Sequence, residues 1–124
     1  MKRATAIRRE TLNMVLEAAR DSYPMEFGAI LRAEEGVVSE LLLVPGTIGG
    51  QSHAIFQLYN LPVDFTVVGT VHSHPSPDPR PSRQDIEFFQ RIGYLHIIAA
   101  HPYDEASWRT WDRKGEPYPL TVMD

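Results

Sequence analysis

The chain has 124 residues, of which 43% are hydrophobic and 23% are charged, and its formal net charge is −4. This length fits one domain, which we expect to span residues 1–124, and the acidic balance without a basic block argues against nucleic acid as a partner. We expect no membrane partner and a cytoplasmic location, because no stretch approaches ~18 apolar residues and the N-terminus lacks the apolar core of a signal peptide.

The first part of the chain predicts one helix followed by two strands. Apolar residues recur at helical spacing over residues 8–21, and Pro24 ends this amphipathic helix. Short apolar strands follow at residues 27–31 and 37–44, and a turn around Gly36 joins them.

The middle of the chain predicts the strongest strand of the protein. After a loop at residues 45–51 and a strand at 53–58, residues 65–72 are β-branched and apolar on both faces, which is typical of a central strand. Alternating prolines from Pro75 to Pro81 then exclude both a helix and a central strand.

The last part of the chain predicts a helix around Phe89 that Gly93 closes, then a buried strand at residues 95–100. Residues 107–111 and 118–122 flank a turn, which predicts a hairpin. The order of elements predicts an α/β fold, in which helices flank a mixed β-sheet.

One residue of the second helix bears on the predicted oligomeric state. Phe88 adjoins the core-facing Phe89 and predicts an apolar surface patch. Such a patch would be a dimer contact, so we expect either a monomer or a weak homodimer.

Two histidines follow the core of the strongest strand. His72 and His74 are two positions apart, and residues i and i+2 of an extended chain point to the same side. Their imidazoles converge on one point, as a divalent metal ion requires, and Pro75 stiffens the chain after them. The alternative is a pair of exposed histidines at a strand end.

Ser82 and Asp85 precede the apolar run of the second helix and have two interpretations. Ser-x-x-Asp at this place predicts a capping box with Ser82 at the N-cap. If the helix N-terminus points back at the histidines, Asp85 becomes a third, anionic ligand beside Ser82. Two histidines and one aspartate suit zinc, with a fourth position free for water.

A base is still needed to take a proton from a metal-activated water. Glu26 follows the helix-ending Pro24 and opens the apolar strand at residues 27–31. Partial burial there would raise the pKa of its carboxyl toward a useful range. The alternative is an ordinary exposed acid in a loop.

Together these residues resemble the motif of the JAMM, or MPN-plus, metalloproteases, which is an upstream glutamate, then H-[ST]-H-P, six residues and S-x-x-D. The chain matches the motif without a gap at His72, Ser73, His74, Pro75, Ser82 and Asp85. The resemblance implies a single-domain α-β-α layered MPN fold with a cytidine-deaminase-like architecture. It also implies one zinc ion per chain with ligands His72, His74 and Asp85, a general base and acid at Glu26, and an oxyanion-stabilising hydroxyl at Ser82.

The resemblance further implies the class of substrate. Family members cleave isopeptide or peptide bonds that follow the Gly-Gly tail of a ubiquitin-like protein. The segments from Gly69 to Asp85 and from Ile86 onward leave no room for the insertions of eukaryotic deubiquitinating members, so the chain is similar to the minimal, stand-alone prokaryotic form. The implied partner is a ubiquitin-like modifier or a sulfur-carrier protein. Residues 53–58 and the proline segment are expected to form the two sides of the groove that binds its tail.

Other classes of zinc enzyme are excluded because the chain lacks a residue that they require or is too short. The chain contains no cysteine, which excludes the P-C-x-x-C pair of the zinc deaminases, and it contains no H-E-x-x-H. A cupin would need a glutamate where Asp78 and Pro79 stand, and a barrel hydrolase would need about twice the length. Two alternatives stay open: a non-catalytic scaffold of the same fold that binds ubiquitin-like proteins, and a DNA-repair-associated relative with a similar H-x-H-P-S segment.

Overall fold

The computed structural model describes residues 3–43 and 66–124. Its elements are, in chain order, β1 (Ala6–Arg8), α1 (Arg9–Ser22), β2 (Gly28–Glu34), β3 (Val37–Leu43), β4 (Val67–His74), α2 (Arg83–Phe89), β5 (Leu95–Ala100), β6 (Trp108–Trp111) and β7 (Thr121–Met123). The loop predicted at residues 45–51 and the strand predicted at 53–58 lie outside the described residues. Within the described ranges, no helix has the length and apolar character that crossing a bilayer requires.

The strands form one mixed sheet in the order β6-β5-β4-β2-β3-β1-β7. β2 is antiparallel to both β3 and β4, whereas β5 is parallel to β4, and β1 is parallel to both β3 and β7. β4 lies between β5 and β2, and all its residues except Val67 and His74 are buried. The prediction that this strand is central is therefore confirmed.

The two helices pack on opposite faces of the sheet. Leu12 and Leu16 of α1 share a buried cluster with Ile97 of β5. Phe89 of α2 belongs to a second cluster with Ile98, the next residue of β5. Since successive strand residues point to opposite faces, the two clusters lie on either side of the sheet, and the predicted α-β-α layering is confirmed.

The N-terminal half agrees with the predictions except at its first strand. α1 is found at Arg9–Ser22, one residue from its predicted bounds, and the turn between β2 and β3 places Glu35 at φ 53° and Gly36 at φ 80°. Two positive φ angles are typical of the tight turns that join antiparallel strands. β1 was not predicted, because it has three residues and so carries too little of an alternating pattern.

The hairpin predicted near the C-terminus is wrong in its second strand. One isolated antiparallel bridge joins Trp111 to Pro117, but β7 then pairs in parallel with β1 at the opposite edge of the sheet. The Tyr118 N–H still donates to the Thr110 carbonyl at 2.9 Å, so contact with β6 extends one residue past Pro117 before the chain goes on to β7 at Thr121.

The apolar surface patch predicted at Phe88 is also wrong. Phe88 and Phe89 are both 0% exposed and belong to the second cluster. Adjacent helix positions lie about 100° apart, so one wide apolar face buries both. The dimer contact predicted from Phe88 is therefore wrong as well. α2 itself ends at Phe89 with Gln90 as its C-cap, and Gly93, at φ 67°, turns the chain into β5 instead of closing the helix.

Candidate metal centre

Two elements bring three potential ligands together on the face of the sheet that α2 covers. The Nε2 atoms of His72 and His74, at the end of β4, are 3.2 Å apart. Asp85 of α2 places Oδ1 3.2 Å from Nε2 of His72 and Oδ2 3.2 Å from Nε2 of His74. The three side chains are largely buried, with 0%, 16% and 4% of their surface exposed for His72, His74 and Asp85. They form a group of the kind that holds a metal ion.

The size of this triangle fits zinc. Ligand atoms about 2.0–2.1 Å from a tetrahedral ion lie about 3.3 Å from one another. The Nε2 atoms of the two histidines are 3.2 Å apart, which is close to that spacing, and each lies 3.2 Å from a different oxygen of the Asp85 carboxylate. With one atom taken from each residue, the three potential ligands lie within 4.8 Å of one another. Three protein ligands leave one position of a tetrahedron for water or substrate, which is the arrangement of catalytic zinc sites.

The tautomer of His74 is set by a backbone group. Its Nδ1 lies 2.9 Å from the carbonyl oxygen of Asp78. Since a carbonyl only accepts, Nδ1 carries a hydrogen and donates it. Nε2 is therefore the atom that would bind a metal, once it gives up the hydrogen that it shares with Asp85 in the metal-free chain. On His72, the buried Nδ1 has no hydrogen-bond partner within the described residues.

The electrostatics of the triangle favour positive charge at its centre. Burial alone would raise the pKa of Asp85, but hydrogen bonds donated by His72 and His74 hold it well below its usual range. Burial alone would lower the pKa of His74, but its hydrogen bonds to Asp85 and to the Asp78 carbonyl raise it above the ordinary value. A cluster that stabilises both a carboxylate and a cationic partner is suited to hold a cation.

The capping box and the ligand geometry occur together at the start of α2. Oγ of Ser82 accepts a hydrogen bond from the Asp85 N–H at 3.0 Å, and the Ser82 N–H donates to Oδ2 of Asp85 at 2.9 Å. The same Oδ2 faces Nε2 of His74. The cap therefore holds the carboxylate of Asp85 against the histidines, and the two interpretations of Ser82 and Asp85 do not compete.

Glu26 reaches the same site from the neighbouring strand. β2 begins at Gly28, which pairs with His72, and the bonds between Phe27 and Ser73 continue this pairing by one residue, so Glu26 directly precedes the paired segment. The charges of His74 and Asp85 both act on its carboxyl, which places it near these two ligands. Glu26 is half-buried, which differs from the exposed loop acid considered above. Burial is the largest cause of a raised pKa of Glu26; the nearby charge of His74 opposes it, that of Asp85 adds to it, and the resulting pKa is about 7.

Ser73, between the two histidines, has a role that the motif alone did not reveal. Its Oγ accepts a hydrogen bond from the Phe27 N–H at 2.9 Å, and its own N–H donates to the Phe27 carbonyl at 3.1 Å. These two bonds extend the pairing of β2 and β4 beyond Gly28 and fix the residue next to Glu26. The only signal in the sequence is a polar residue between two ligands in an otherwise apolar strand.

His96 of β5 is fully buried beneath the site. Its ring stacks on Phe89 with centroids 4.1 Å apart and planes 7° from parallel, and its Nδ1 is 2.7 Å from Oγ1 of Thr70. Burial, followed by the charge of His72, lowers the pKa of His96 to about 3. The folded protein therefore keeps this histidine neutral.

This burial predicts a pH dependence of stability that His96→Gln should remove. In the unfolded chain His96 binds a proton below the ordinary histidine pKa of 6.5, whereas in the folded chain it stays neutral down to about pH 3. The free energy of unfolding therefore decreases as the pH falls from 6.5 toward 3. In zinc-free protein, we expect the wild type to lose up to ~1.4 kcal/mol more per pH unit than the variant. Denaturant unfolding between pH 6.5 and 4.5 measures this, and parallel stability curves would contradict it.

An open cleft borders the triangle on its exposed side. It has a volume of about 410 Å³ and is lined by His74, Ser76, Asp78, Arg80, Pro81 and Ser82. The proline segment is fixed against the sheet, since Nε1 of Trp111 donates to the Pro79 carbonyl at 3.0 Å. The cleft therefore opens onto His74, a potential metal ligand, and onto Ser82.

A layered fold with a zinc-sized His-His-Asp triangle defines a metallo-hydrolase of the JAMM type. The chain belongs to the prokaryotic homologues of the JAB domain, whose family model matches residues 8–114. A protein from Haloferax volcanii named "Probable metalloprotease" is 34% identical over 133 residues, which cover 99% of this chain and 82% of that protein.

Solved structures show the same relationship. One, described as JAMM, a metalloprotease-like zinc site in the proteasome and signalosome, is 40% identical with a TM-score of 0.79 and covers 98% of this chain and 99% of its own. A JAB1/MPN domain protein from Archaeoglobus fulgidus is 39% identical with the same TM-score and covers 98% of both chains. A protein from Desulfitobacterium hafniense shares the fold at 15% identity and a TM-score of 0.64, covering 97% of this chain and 93% of its own. The cofactor of this family site is zinc.

Proposed function

We propose that this chain is a zinc-dependent peptidase or isopeptidase that cleaves after the Gly-Gly tail of a ubiquitin-like modifier or a sulfur-carrier protein. The observation that carries the proposal is the half-buried Glu26, which has a pKa of about 7 and on which the charges of His74 and Asp85 act, beside the His72–His74–Asp85 triangle. A carboxyl group with a pKa near neutrality both accepts and returns a proton at physiological pH.

Bound zinc supplies a Lewis acid that activates water and polarises the scissile carbonyl. Glu26 takes a proton from the attacking water as the new C–O bond forms at the carbonyl carbon. It then gives that proton to the nitrogen of the leaving amine as the C–N bond breaks. His72, His74 and Asp85 hold the metal in place, and the hydrogen bond from His74 to the Asp78 carbonyl keeps that imidazole oriented.

Ser82 stabilises the oxygen of the scissile carbonyl as it gains negative charge. Its Oγ accepts from the Asp85 N–H, so the hydroxyl hydrogen points elsewhere, and the residue lines the cleft. A donor fixed before the reaction in this way loses little free energy in reorienting.

Replacing Ser82 distinguishes its role in stabilising the oxyanion from its role as the N-cap of α2. We expect Ser82→Ala to lower kcat by ~10²-fold or more because it removes the oxyanion donor. The variant should also lose about 1 kcal/mol of stability with the helix cap, while keeping its zinc. Steady-state kinetics and denaturant unfolding measure the two effects, and Ser82→Thr, which keeps a hydroxyl, should recover part of both. A stability loss with nearly intact turnover would leave Ser82 as a cap alone.

The choice of substrate is supported by the shape of the cleft and by the relatives. The proline segment beside the cleft suits an extended chain that lies along it, and glycine is the residue whose backbone approaches a surface most closely. The similarity to the JAMM zinc site described in the proteasome and signalosome supports a ubiquitin-like substrate. An extended tail is recognised by its backbone, which accommodates modifiers and sulfur carriers with different folded parts.

The experiment combines metal analysis with cleavage. Purified chain is assayed for zinc and incubated with a ubiquitin-like or sulfur-carrier protein whose Gly-Gly end is extended by a peptide or joined to a lysine side chain. We expect one zinc per chain and cleavage directly after Gly-Gly, located by mass spectrometry, which a chelator stops and added zinc restores. A matched substrate ending in Ala-Ala should be cut far more slowly.

The second candidate is a non-catalytic scaffold of the same fold that binds ubiquitin-like proteins. Its distinguishing result is binding of the Gly-Gly protein without cleavage by the zinc-loaded chain. A wild-type chain that binds no metal would contradict the catalytic proposal outright. The intact His72–His74–Asp85 triangle favours the enzyme, because a scaffold has no need of three buried ligands at metal spacing.

A further inference from the structure

Tyr103 is a buried side chain on a strained backbone close to the site. It is 1% exposed, and its φ is 65°, in the left-handed region that bulky residues rarely adopt. Two hydrogen bonds hold this conformation: the Tyr103 N–H donates to the Ala100 carbonyl at 2.7 Å, and Arg20 at the end of α1 donates to the Tyr103 carbonyl at 2.6 Å. A strained residue that two other elements hold in place is a candidate for a functional role.

The hydroxyl of Tyr103 reaches the backbone of a residue in the metal triangle. It donates to the carbonyl of His74 at 3.0 Å, and the backbone N–H of His101 faces the same carbonyl at 3.3 Å. This carbonyl ends β4 and precedes Pro75, which has no N–H to join a ladder. The bond from Tyr103 therefore fixes the point where His74 leaves the sheet.

The phenol keeps its hydrogen under all ordinary conditions. Burial, followed by the nearby charges of Tyr23 and Glu26, raises the pKa of Tyr103 to about 12. Tyr103 is thus a permanent donor, and it is near enough to Glu26 for the charge of that carboxyl to act on it.

We propose that Tyr103 is a positioning residue for the metal centre: its hydroxyl fixes the backbone of His74, and so directs the imidazole of His74 toward the ion. Arg20 acts one step further out by holding the carbonyl of Tyr103. The proposal concerns the zinc ligands of the function proposed above and rests on that assignment for its effect on catalysis. Its effect on metal binding needs no substrate.

The test is Tyr103→Phe, which removes one oxygen atom and keeps the ring. We expect the zinc dissociation constant to rise about 10-fold, as for other residues that orient a metal ligand, and kcat to fall with little change in KM. Zinc affinity is measured by competition with a chromophoric chelator, and the d–d absorption of the cobalt-substituted protein reports the ligand geometry. We expect that absorption to shift in the variant.

The matched control is Tyr118→Phe. The hydroxyl of Tyr118 also donates to a backbone carbonyl, that of Ala4, which is not a residue of the metal centre. Both variants should lose similar stability without zinc, but Tyr118→Phe should keep the zinc affinity and the cobalt spectrum of the wild type.

Arg20→Met provides a second, independent variant. Arg20 is exposed and methionine is a good helix former, so the chain should fold, and its zinc affinity should fall less than that of Tyr103→Phe. Wild-type zinc affinity and cobalt spectrum in Tyr103→Phe would overturn the proposal. Because these readouts need no substrate, a failure to cleave Gly-Gly proteins would contradict the proposed function and leave this test intact.

Discussion

Glu26→Gln is expected to lower the cleavage rate by ~10²–10⁴-fold while the protein keeps one zinc per chain. The glutamine has the shape of the glutamate but cannot accept a proton, so it removes the transfer from water to the leaving amine. Zinc content should not change, because His72, His74 and Asp85 form the metal triangle and Glu26 is not part of it. Metal analysis and single-turnover cleavage of the same sample measure the two quantities.

The control for this change is Glu87→Gln on the exposed surface of α2. It removes the same charge from the chain and should cleave at the wild-type rate. The wild-type rate should also fall as the pH is lowered from neutrality, because the base must be deprotonated and burial raises the pKa of Glu26. A fully active Glu26→Gln protein with zinc bound would show that the proton is carried by another group.

Asp85→Ala should lose both the metal and the activity. The change removes one of the three ligands and leaves two histidines, which bind zinc too weakly to retain it through purification. It also removes half of the capping box, so the zinc-free variant should lose about 1 kcal/mol of stability relative to the zinc-free wild type. Metal analysis, cleavage and denaturant unfolding measure the three effects.

Asp78→Ala is the matched control for the loss of an aspartate near the site. Its carboxyl is exposed and pairs with Arg80, whereas the backbone carbonyl that accepts from His74 is kept in alanine. We expect this variant to bind one zinc per chain, as the wild type does. One zinc per chain in Asp85→Ala would contradict the assignment of this carboxylate as a ligand.

The parts of the site that could be predicted from the sequence are those whose geometry is local. The two-residue spacing of His72 and His74 fixes a shared side in any strand, and Ser82 and Asp85 fix a capping box in any helix start. Only the resemblance to the family motif indicated that the start of α2 faces the end of β4, so that Asp85 meets the two histidines.

Long-range contacts could not be predicted in the same way. Tyr103 lies 29 positions from His74, and no pattern in the sequence indicates that its hydroxyl meets that carbonyl. The pairing of β7 with β1 joins the two ends of the described chain, and the alternating pattern of a three-residue strand does not identify its partner. The burial of Phe88 could not be predicted either, because the helical pattern gives the direction of the apolar face of α2 but not its width.

The two hydrogen bonds between Ser73 and Phe27 have an evolutionary consequence. They set the alignment of the strand that carries the histidines with the segment that carries Glu26. A slip of one residue would turn Glu26 to the far side of the sheet, because side chains alternate between faces. Selection for correct folding and selection for catalysis therefore act on the same backbone contacts. Insertions and deletions near residues 26–28 or 72–74 should be eliminated by selection even when the chain remains stable.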